Sequence, residues 1–323
     1  MDILKKKKLL ILTGPTAVGK SRLSIRLAKA LQAEVISADS MQVYRGMDIG
    51  TDKISPKAME GVPHHLIDVL EPTEPFNVVL FQKMAKEAMA GIYERGHIPL
   101  IVGGTGFYIQ SVLYDIDFDA EDDDAYRREL EAYAAGGGEE AIHTLHERLR
   151  AVDPFAATQI HPRNVKRVIR ALSFYHETGR PISAHNEQER AKASPYDARY
   201  FVLTDDRGVL YERINARVLQ MMEEGLLEEV KRLREKGVTS DMTSMQGLGY
   251  REVMHFLEGD YDLDRCVELI QRNTRHFAKR QLTWFARERH VLWVDKREHH
   301  RNEEEILSYI ISLSEESHDR DTK

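Results

Sequence analysis

The sequence predicts an α/β fold: a P-loop core built on a parallel sheet with helices on both faces, plus a helical insertion domain. The first observation is Gly14-Pro15-Thr16-Ala17-Val18-Gly19-Lys20-Ser21, a G-x-x-x-x-G-K-S loop. It stands between the short apolar run Leu9–Leu12 and an apolar-periodic helix from Leu23 to Leu31. The second is the return of such runs (Val35-Ile36, Pro99–Val102, Tyr200–Leu203 and Val291–Val294) between helical patterns, the alternation of a parallel sheet. The third is that residues 118–196 contain helical patterns and no strand-like run. The expected organisation is a core of residues 1–117 and 197–323 with a helical insertion at 118–196.

Strand, glycine loop and helix together make an anion cradle. Successive backbone N–H groups point inward, and the helix N-terminus adds partial positive charge. Lys20 would reach the phosphates and the Ser21 hydroxyl would sit on a Mg²⁺. The next strand, Glu34 to Ser40, ends in polar groups, so Asp39 is either a working carboxylate or the cap of a turn. From Met41 to Glu74 the chain has little periodicity and reads as a long excursion above the sheet. Its His64-His65 pair lacks a third ligand at metal spacing and suits a structural or substrate-loop role. Asn77 caps a helix running to Arg95, with Gly96 beyond its end. The strand Ile98–Val102 closes in Gly103-Gly104-Thr105-Gly106. Many P-loop ATPases place a magnesium-binding aspartate there; two glycines mean instead that something approaches the backbone closely.

In the insertion, Gly136-Gly137-Gly138 separates two helices, and a helix begun near His161 carries Lys166, Arg167 and Arg170 on its polar face. After the Tyr200 strand, Asp206 caps a helix whose apolar side is Leu210, Ile214, Val218 and Met221. Arg213 and Arg217 lie one turn apart on it and suit a pyrophosphate, or else pair with Glu212 and Glu223 on a solvated face. A glycine-rich segment, Ser244 to Arg251, follows. The last long helix spans Leu263 to Arg287. It sets Arg272, Arg275, His276, Lys279, Arg280 and Thr283 among Phe277, Trp284 and Phe285, with no acid from Gln271 to Ala286. Basic stripes interleaved with aromatics fit a nucleic-acid backbone. The charged tail from Ser314 is expected to be disordered.

The 323 residues carry a net charge of −7, yet acids and bases are segregated, so a basic side can dock a polyanion while the total stays negative. A single cysteine, Cys266, excludes a disulfide framework or a C-x-x-C metal knuckle and points to the cytoplasm. No stretch has the length of apolar chain that a membrane span needs. With no long exposed apolar seam, a monomer is expected.

Several blocks together resemble the tRNA dimethylallyltransferase (tRNA isopentenyltransferase) family. They are residues 14–21, the run Asp39-Ser40-Met41-Gln42-Val43-Tyr44-Arg45-Gly46-Met47-Asp48-Ile49-Gly50-Thr51, His64–Asp68, Val102–Gly106, Lys166–Leu172 and Lys279-Arg280-Gln281-Leu282-Thr283-Trp284. The likeness covers nearly the whole chain. It implies transfer of a dimethylallyl group from dimethylallyl diphosphate to N6 of the adenine 3′ of the anticodon, with Mg²⁺ as cofactor. Residues 14–21 would bind the diphosphate. Asp39 would accept the N6 proton, and Thr16, Lys20, Arg213 and Arg217 would stabilise the leaving group. The flipped adenine would meet Ser40, Met41 and Gln42. With Thr105, Arg128, Lys166, Arg167, Arg170, Arg272, Arg275, Lys279, Arg280 and Gln281, these residues would hold the anticodon stem-loop. The family often has an acid at the position of Leu80; here Asn77 must cap its helix alone. Eukaryotic relatives can add a C-terminal zinc finger, which one cysteine does not allow.

The P-loop and Asp39 alone would also suit a small-molecule kinase, which leaves both basic helices idle. An RNA-binding module with a vestigial phosphate loop, and a prenyltransferase of free adenine nucleotides, are the other readings.

Overall fold

Strand β1 (Lys8–Thr13) is buried on both faces, as its unbroken apolar run requires of a central parallel strand. In the computed structural model, which describes residues 6–118 and 124–315, β1 lies inside a six-stranded sheet. The order is β3-β2-β4-β1-β5-β6 and every pairing is parallel. The other strands are β2 (Ala33–Ala38), β3 (His64–His65), β4 (Ile98–Gly103), β5 (Asp197–Thr204) and β6 (Val291–Asp295). Helix α1 (Lys20–Leu31) crosses from β1 to β2, leaving the slot that β4 fills later. Helices α2 (Val78–Glu94) and α3 (Gly106–Leu113) flank β4 in the chain. Asn77 caps α2 by accepting the Leu80 N–H at 2.9 Å, without help from an acid.

Register decides where the chemistry can be. Thr13 pairs with Gly103, and Gly103 pairs with Ala38. Gly14, Gly104 and Asp39 therefore leave the carboxyl edge of the sheet from three adjacent slots, with the two outer ones about 10 Å apart. A hydrogen bond from Thr13 Oγ1 to Gly103 O (2.7 Å) and one from Thr105 N to Ala38 O (3.2 Å) lock that edge.

Alternate residues of the strands (Leu10, Leu12, Val35, Leu100, Phe201) form one core with Leu23, Leu27 and Ala28 of α1 and Ile306 and Ile310 of α12 (Glu303–Glu315). On the other parity Leu9, Ile11, Ile36 and Ile101 are equally buried, and α2 packs against β2 and β4. The excursion of residues 41–74 is not wholly irregular, because its two histidines add β3 to the edge of the sheet. His65 Nε2, His97 Nδ1 and the Arg95 guanidinium all bond the buried Glu34 carboxylate at 2.7–2.8 Å. The Arg95 guanidinium is the main reason that carboxyl is held down to about 2. The histidines are structural.

After β5 come α8 (Arg207–Glu223), α9 (Leu226–Glu235), α10 (Tyr250–Glu258) and α11 (Leu263–Phe285). The chain divides into two compact units, Met1–Leu113 with Pro195–Lys323, and Tyr114–Ser194. The second contains α4 (Asp124–Val152), α5 (Pro154–Gln159), α6 (Val165–Thr178) and α7 (Ile182–Ala191) around Leu130, Leu145, Leu149, Val168 and Leu172. Helix α4 breaks at Gly138, where φ is 57° and ψ is −143°. The buried Asp153, which caps α5, accepts the Ala156 and Ser183 N–H groups and the Ser183 hydroxyl, tying α5 to α7. Ser314 belongs to α12; the tail beyond Glu315 and the acidic stretch 119–123 lie outside the described residues. Among the described residues no helix is long and apolar enough to cross a membrane.

Candidate active site at the carboxyl edge of the sheet

The loop after β1 takes the shape its glycines permit. Gly14 has φ 144°, and a Cβ there would lie 2.4 Å from Leu203 O of the neighbouring strand. Gly19, at φ 97°, turns the chain into α1, and Ala17 holds the left-handed region at φ 62°. A non-glycine residue in that region costs energy that the surrounding loop must supply, a frequent sign of a binding segment. Lys20 Nζ folds back to donate to Gly14 O (3.0 Å) and Pro15 O (2.9 Å). Burial pushes its ammonium down to about 8, with Asp39 pulling up and Arg217 pushing down. Behind the loop, the buried Lys296 donates to Val18 O at 3.2 Å.

Asp39 caps a turn and also faces a cleft. Its Oδ1 accepts the N–H groups of Met41 (2.8 Å) and Gln42 (3.3 Å), capping the turn after β2. The residue also lines a cleft of about 440 Å³ together with Thr16, Ser40, Met41, Thr105 and Arg217. The glycines at the end of β4 make that convergence possible. A Cβ on Gly103 would lie 2.3 Å from Ala38 O, and one on Gly104 would lie 2.1 Å from Gln281 Nε2. What approaches closely is strand β2 and helix α11.

The two arginines of α8 part company. Arg217 reaches the cleft, paired with Asp52 (Nη2–Oδ2 2.5 Å), and its Nε is buried without a hydrogen-bond partner. Burial lowers its guanidinium to about 10. Arg213 pairs with the buried Asp205 (3.1 Å), which Arg301 also holds (2.9 Å), and is not among the cleft-lining residues. Neither arginine takes Glu212 or Glu223.

The far wall comes from the Asp48–Thr51 loop. Glu229 of α9, 2 % exposed, accepts the N–H groups of Asp48 (3.0 Å), Ile49 (2.9 Å) and Gly50 (3.2 Å), and the Tyr250 hydroxyl at 2.5 Å. Tyr250 lies so close to Gly50 that a Cβ there would meet its ring at 2.5 Å. Gln42 is drawn into the same scaffold, accepting from Ser37 Oγ and donating to Thr51 O, and is not among the cleft-lining residues.

Helix α11 has two working faces. Ile270, Asn273, Thr274 and Phe277 line the cleft. His276, Lys279, Thr283, Trp284 and Arg287 surround a shallow recess on the outer face, and Arg280 borders both. Arg272, Lys279 and Arg280 are exposed with no carboxylate within 4.0 Å among the described residues, whereas Arg275 is half-buried and bonded to Asn215 Oδ1. Two residues of the expected RNA stripe sit elsewhere. Phe285 is fully buried core, and Gln281 is 5 % exposed with its amide bonded to the phosphate loop and to Gly104. In the second unit, Arg128 on α4 and Lys166, Arg167 and Arg170 on α6 are exposed.

Glu229, Asp205, Lys296 and the Gln246–Arg251 wall were not foreseen. For Glu229 a signal existed: it shares a helix face with Leu226, Val230 and Leu233, and an acid on an apolar stripe needs a specific partner. Lys296 and Asp205 follow strand ends at the same sheet edge, a positional cue visible only once the strand order is known.

A family model for IPP transferases matches residues 42–288, and one for isopentenyl transferases matches residues 7–69. A tRNA dimethylallyltransferase of Lachnoclostridium phytofermentans is 55 % identical over 306 residues, 94 % of this chain and 96 % of the relative. Among solved structures, a tRNA isopentenylpyrophosphate transferase from Bacillus halodurans is 45 % identical at TM-score 0.71, covering 96 % of this chain and 97 % of that one. A eukaryotic dimethylallyltransferase acting on tRNA is 30 % identical at TM-score 0.75, covering 90 % of this chain and 74 % of that one. The chain belongs to the IPP transferase family, alongside the tRNA dimethylallyltransferases it matches over nearly its whole length.

Proposed function

We infer that the protein transfers a dimethylallyl group from dimethylallyl diphosphate to N6 of the adenine 3′ of the anticodon of a tRNA, releasing diphosphate. The observation that carries this reading is the position of Asp39 and Thr16 on one cleft, with a phosphate loop on one side and an uncompensated basic helix on the other. The diphosphate lies along residues 14–21, held by loop N–H groups, Lys20 and Arg217. The amine lone pair of N6 attacks C1 of the dimethylallyl group, the C1–O bond breaks, and its electron pair leaves on the diphosphate. Asp39 takes the N6 proton, while Thr16, Lys20 and Arg217 stabilise the negative charge that grows on the departing oxygen. Arg213 keeps Asp205 on Nη1 and turns its other guanidinium N–H groups to the same charge.

Ser21 fits a Mg²⁺, because its side chain is an exposed hard-oxygen donor in the first turn of α1 and Mg²⁺ needs few protein ligands beside phosphate oxygens. When bound, the ion neutralises diphosphate charge. Thr105, Ser40 and Met41 line the space for an extruded base. The outer face of α11, with Arg128, Lys166, Arg167 and Arg170 of the insertion, takes the RNA backbone. One chain supplies every group in the cleft, so a monomer suffices.

Incubation with labelled dimethylallyl diphosphate and an anticodon stem-loop is expected to transfer label to the RNA. Turnover of ATP without prenyl transfer would reject the reading in favour of a kinase. Inorganic pyrophosphate affinity should fall about tenfold between pH 7 and pH 9, because Lys20 loses its proton as pH rises through about 8. Titration calorimetry at both pH values checks it, and a flat profile removes Lys20 from the anion site. On the RNA side, Lys279→Ala and Arg280→Ala should each weaken tRNA binding and lower the salt slope of log K by roughly 0.7–0.9. Unchanged affinity in both variants would take α11 out of the interface.

A further inference from the structure

Gln281 stands near the C-terminal end of α11, within its basic run, yet its side chain faces away from the recess that Lys279, Arg280 and Thr283 border. It is 5 % exposed, and both ends of its amide are engaged. Oε1 accepts the Thr16 N–H at 2.9 Å, and Nε2 donates to Gly104 O at 3.0 Å. One side chain thus joins α11 to the loop after β1 and to the loop after β4. Three residues on, one turn along the helix, Trp284 lies against the start of α3, where the second of those loops ends. A Cβ on Gly106 would come 2.2 Å from its ring, and its indole meets Phe107 edge-on at 6.3 Å between ring centres. The helix that presents cations outward is therefore seated, through two side chains, on the glycine segments that shape the donor site.

The bond to Thr16 matters for the loop itself. Thr16 precedes Ala17, which holds a left-handed backbone at φ 62°, and Lys20 donates to the carbonyls of Gly14 and Pro15 on the other side. Gln281 is the fixed acceptor that orients the Thr16 peptide between these two. An amide oxygen is suited to this place. It accepts an N–H without bringing negative charge toward a diphosphate, which a glutamate of the same length would do.

We propose that Gln281 is a positioning residue for the phosphate loop, coupling the RNA-facing helix to the diphosphate cradle, and that it makes no contact with RNA. The inference rests on the prenyl-transfer reading above. It follows that displacement of the Gln281 amide lowers donor affinity and leaves RNA affinity unchanged. Two substitutions reach that displacement from opposite sides. Gln281→Ala removes the amide, and Gly104→Ala places a methyl group 2.1 Å from its Nε2, with no positive φ at that glycine to strain the backbone.

The test measures three quantities in the full chain: affinity for inorganic pyrophosphate, KM for dimethylallyl diphosphate, and affinity for tRNA. Each variant is expected to weaken pyrophosphate binding and raise donor KM by about three- to tenfold, the loss of one hydrogen bond, with tRNA affinity within twofold of wild type. In the Gln281→Ala background, Gly104→Ala should cost nothing further, since no amide remains to be pushed. Weaker tRNA binding with unaltered pyrophosphate affinity would overturn the proposal and make Gln281 an RNA contact. Additive effects of the two substitutions would overturn the coupling. Were Gln281→Ala not to fold, Gly104→Ala alone decides by the same split. A wild-type protein that fails to bind pyrophosphate defeats the functional reading itself; one that binds it as well as both variants defeats only this inference.

Discussion

Asp39→Asn is expected to lower prenyl transfer by about 10²–10⁴-fold, the range over which a positioned general base acts, while tRNA binding and the melting temperature stay near wild type. The choice of asparagine follows from the geometry. Asp39 Oδ1 receives the Met41 and Gln42 N–H groups, so alanine would remove a turn cap together with the base. Asparagine keeps an acceptor oxygen for those donors and gives up only the ability to take a proton. Asp39→Ala should be as inactive as Asp39→Asn and in addition less stable, by about 1 kcal/mol for a lost cap. The pair of variants separates the two roles that the strand tip combines. If Asp39→Asn retains activity within tenfold of wild type, the carboxylate is a cap, and the proton goes elsewhere. Single-turnover rates with bound tRNA are the proper readout, because they exclude product release.

Much of the sheet edge around Asp39 was legible in the sequence itself. The sheet was legible because buried parallel strands are short, apolar and bounded, and Leu9–Leu12 or Tyr200–Leu203 admits few other states. The two glycines after β4 were legible as a close approach, but not as an approach by Ala38 and Gln281, since a pattern identifies crowding without naming the neighbour. Strand β3 escaped because two residues carry no period. Arg213 and Arg217 show the limit most plainly. Helical spacing put them on one face, and only the tertiary placement of Asp205 and Asp52 gives them different partners. Gln281 and Phe285 fell inside a basic run and shared its assignment, although a stripe of 3.6-residue period must also turn a side toward the core. The contact of Gln281 with Thr16 leaves no local trace, and the acid on the apolar stripe of α9 signals a partner for Glu229 without naming the 48–50 loop.

Glu229→Ala is expected to destabilise the protein by about 3–5 kcal/mol, among the largest single effects available here. Glu229 has no cationic partner among the described residues; the desolvation of its carboxylate is offset by three consecutive backbone N–H groups and the Tyr250 hydroxyl. Removing it strands four donors in a region where Tyr250 is fully buried and packed on Gly50. Each unsatisfied buried donor costs roughly 1–3 kcal/mol, less whatever a water molecule entering the cavity restores. Glu229→Gln keeps the shape but turns an NH₂ toward two of the donors, so it should fall between wild type and alanine. A double-mutant cycle with Tyr250→Phe isolates the hydroxyl: the substitution should be costly in the wild type and nearly neutral in Glu229→Ala. Denaturant midpoints at constant m-value report all four species. Because Gly50, Thr51 and Tyr250 line the cleft, Glu229→Gln should also raise substrate KM at a temperature where the fold is intact. A loss under 1 kcal/mol in Glu229→Ala would mean that water replaces the carboxylate and that the far wall of the cleft is held by packing alone.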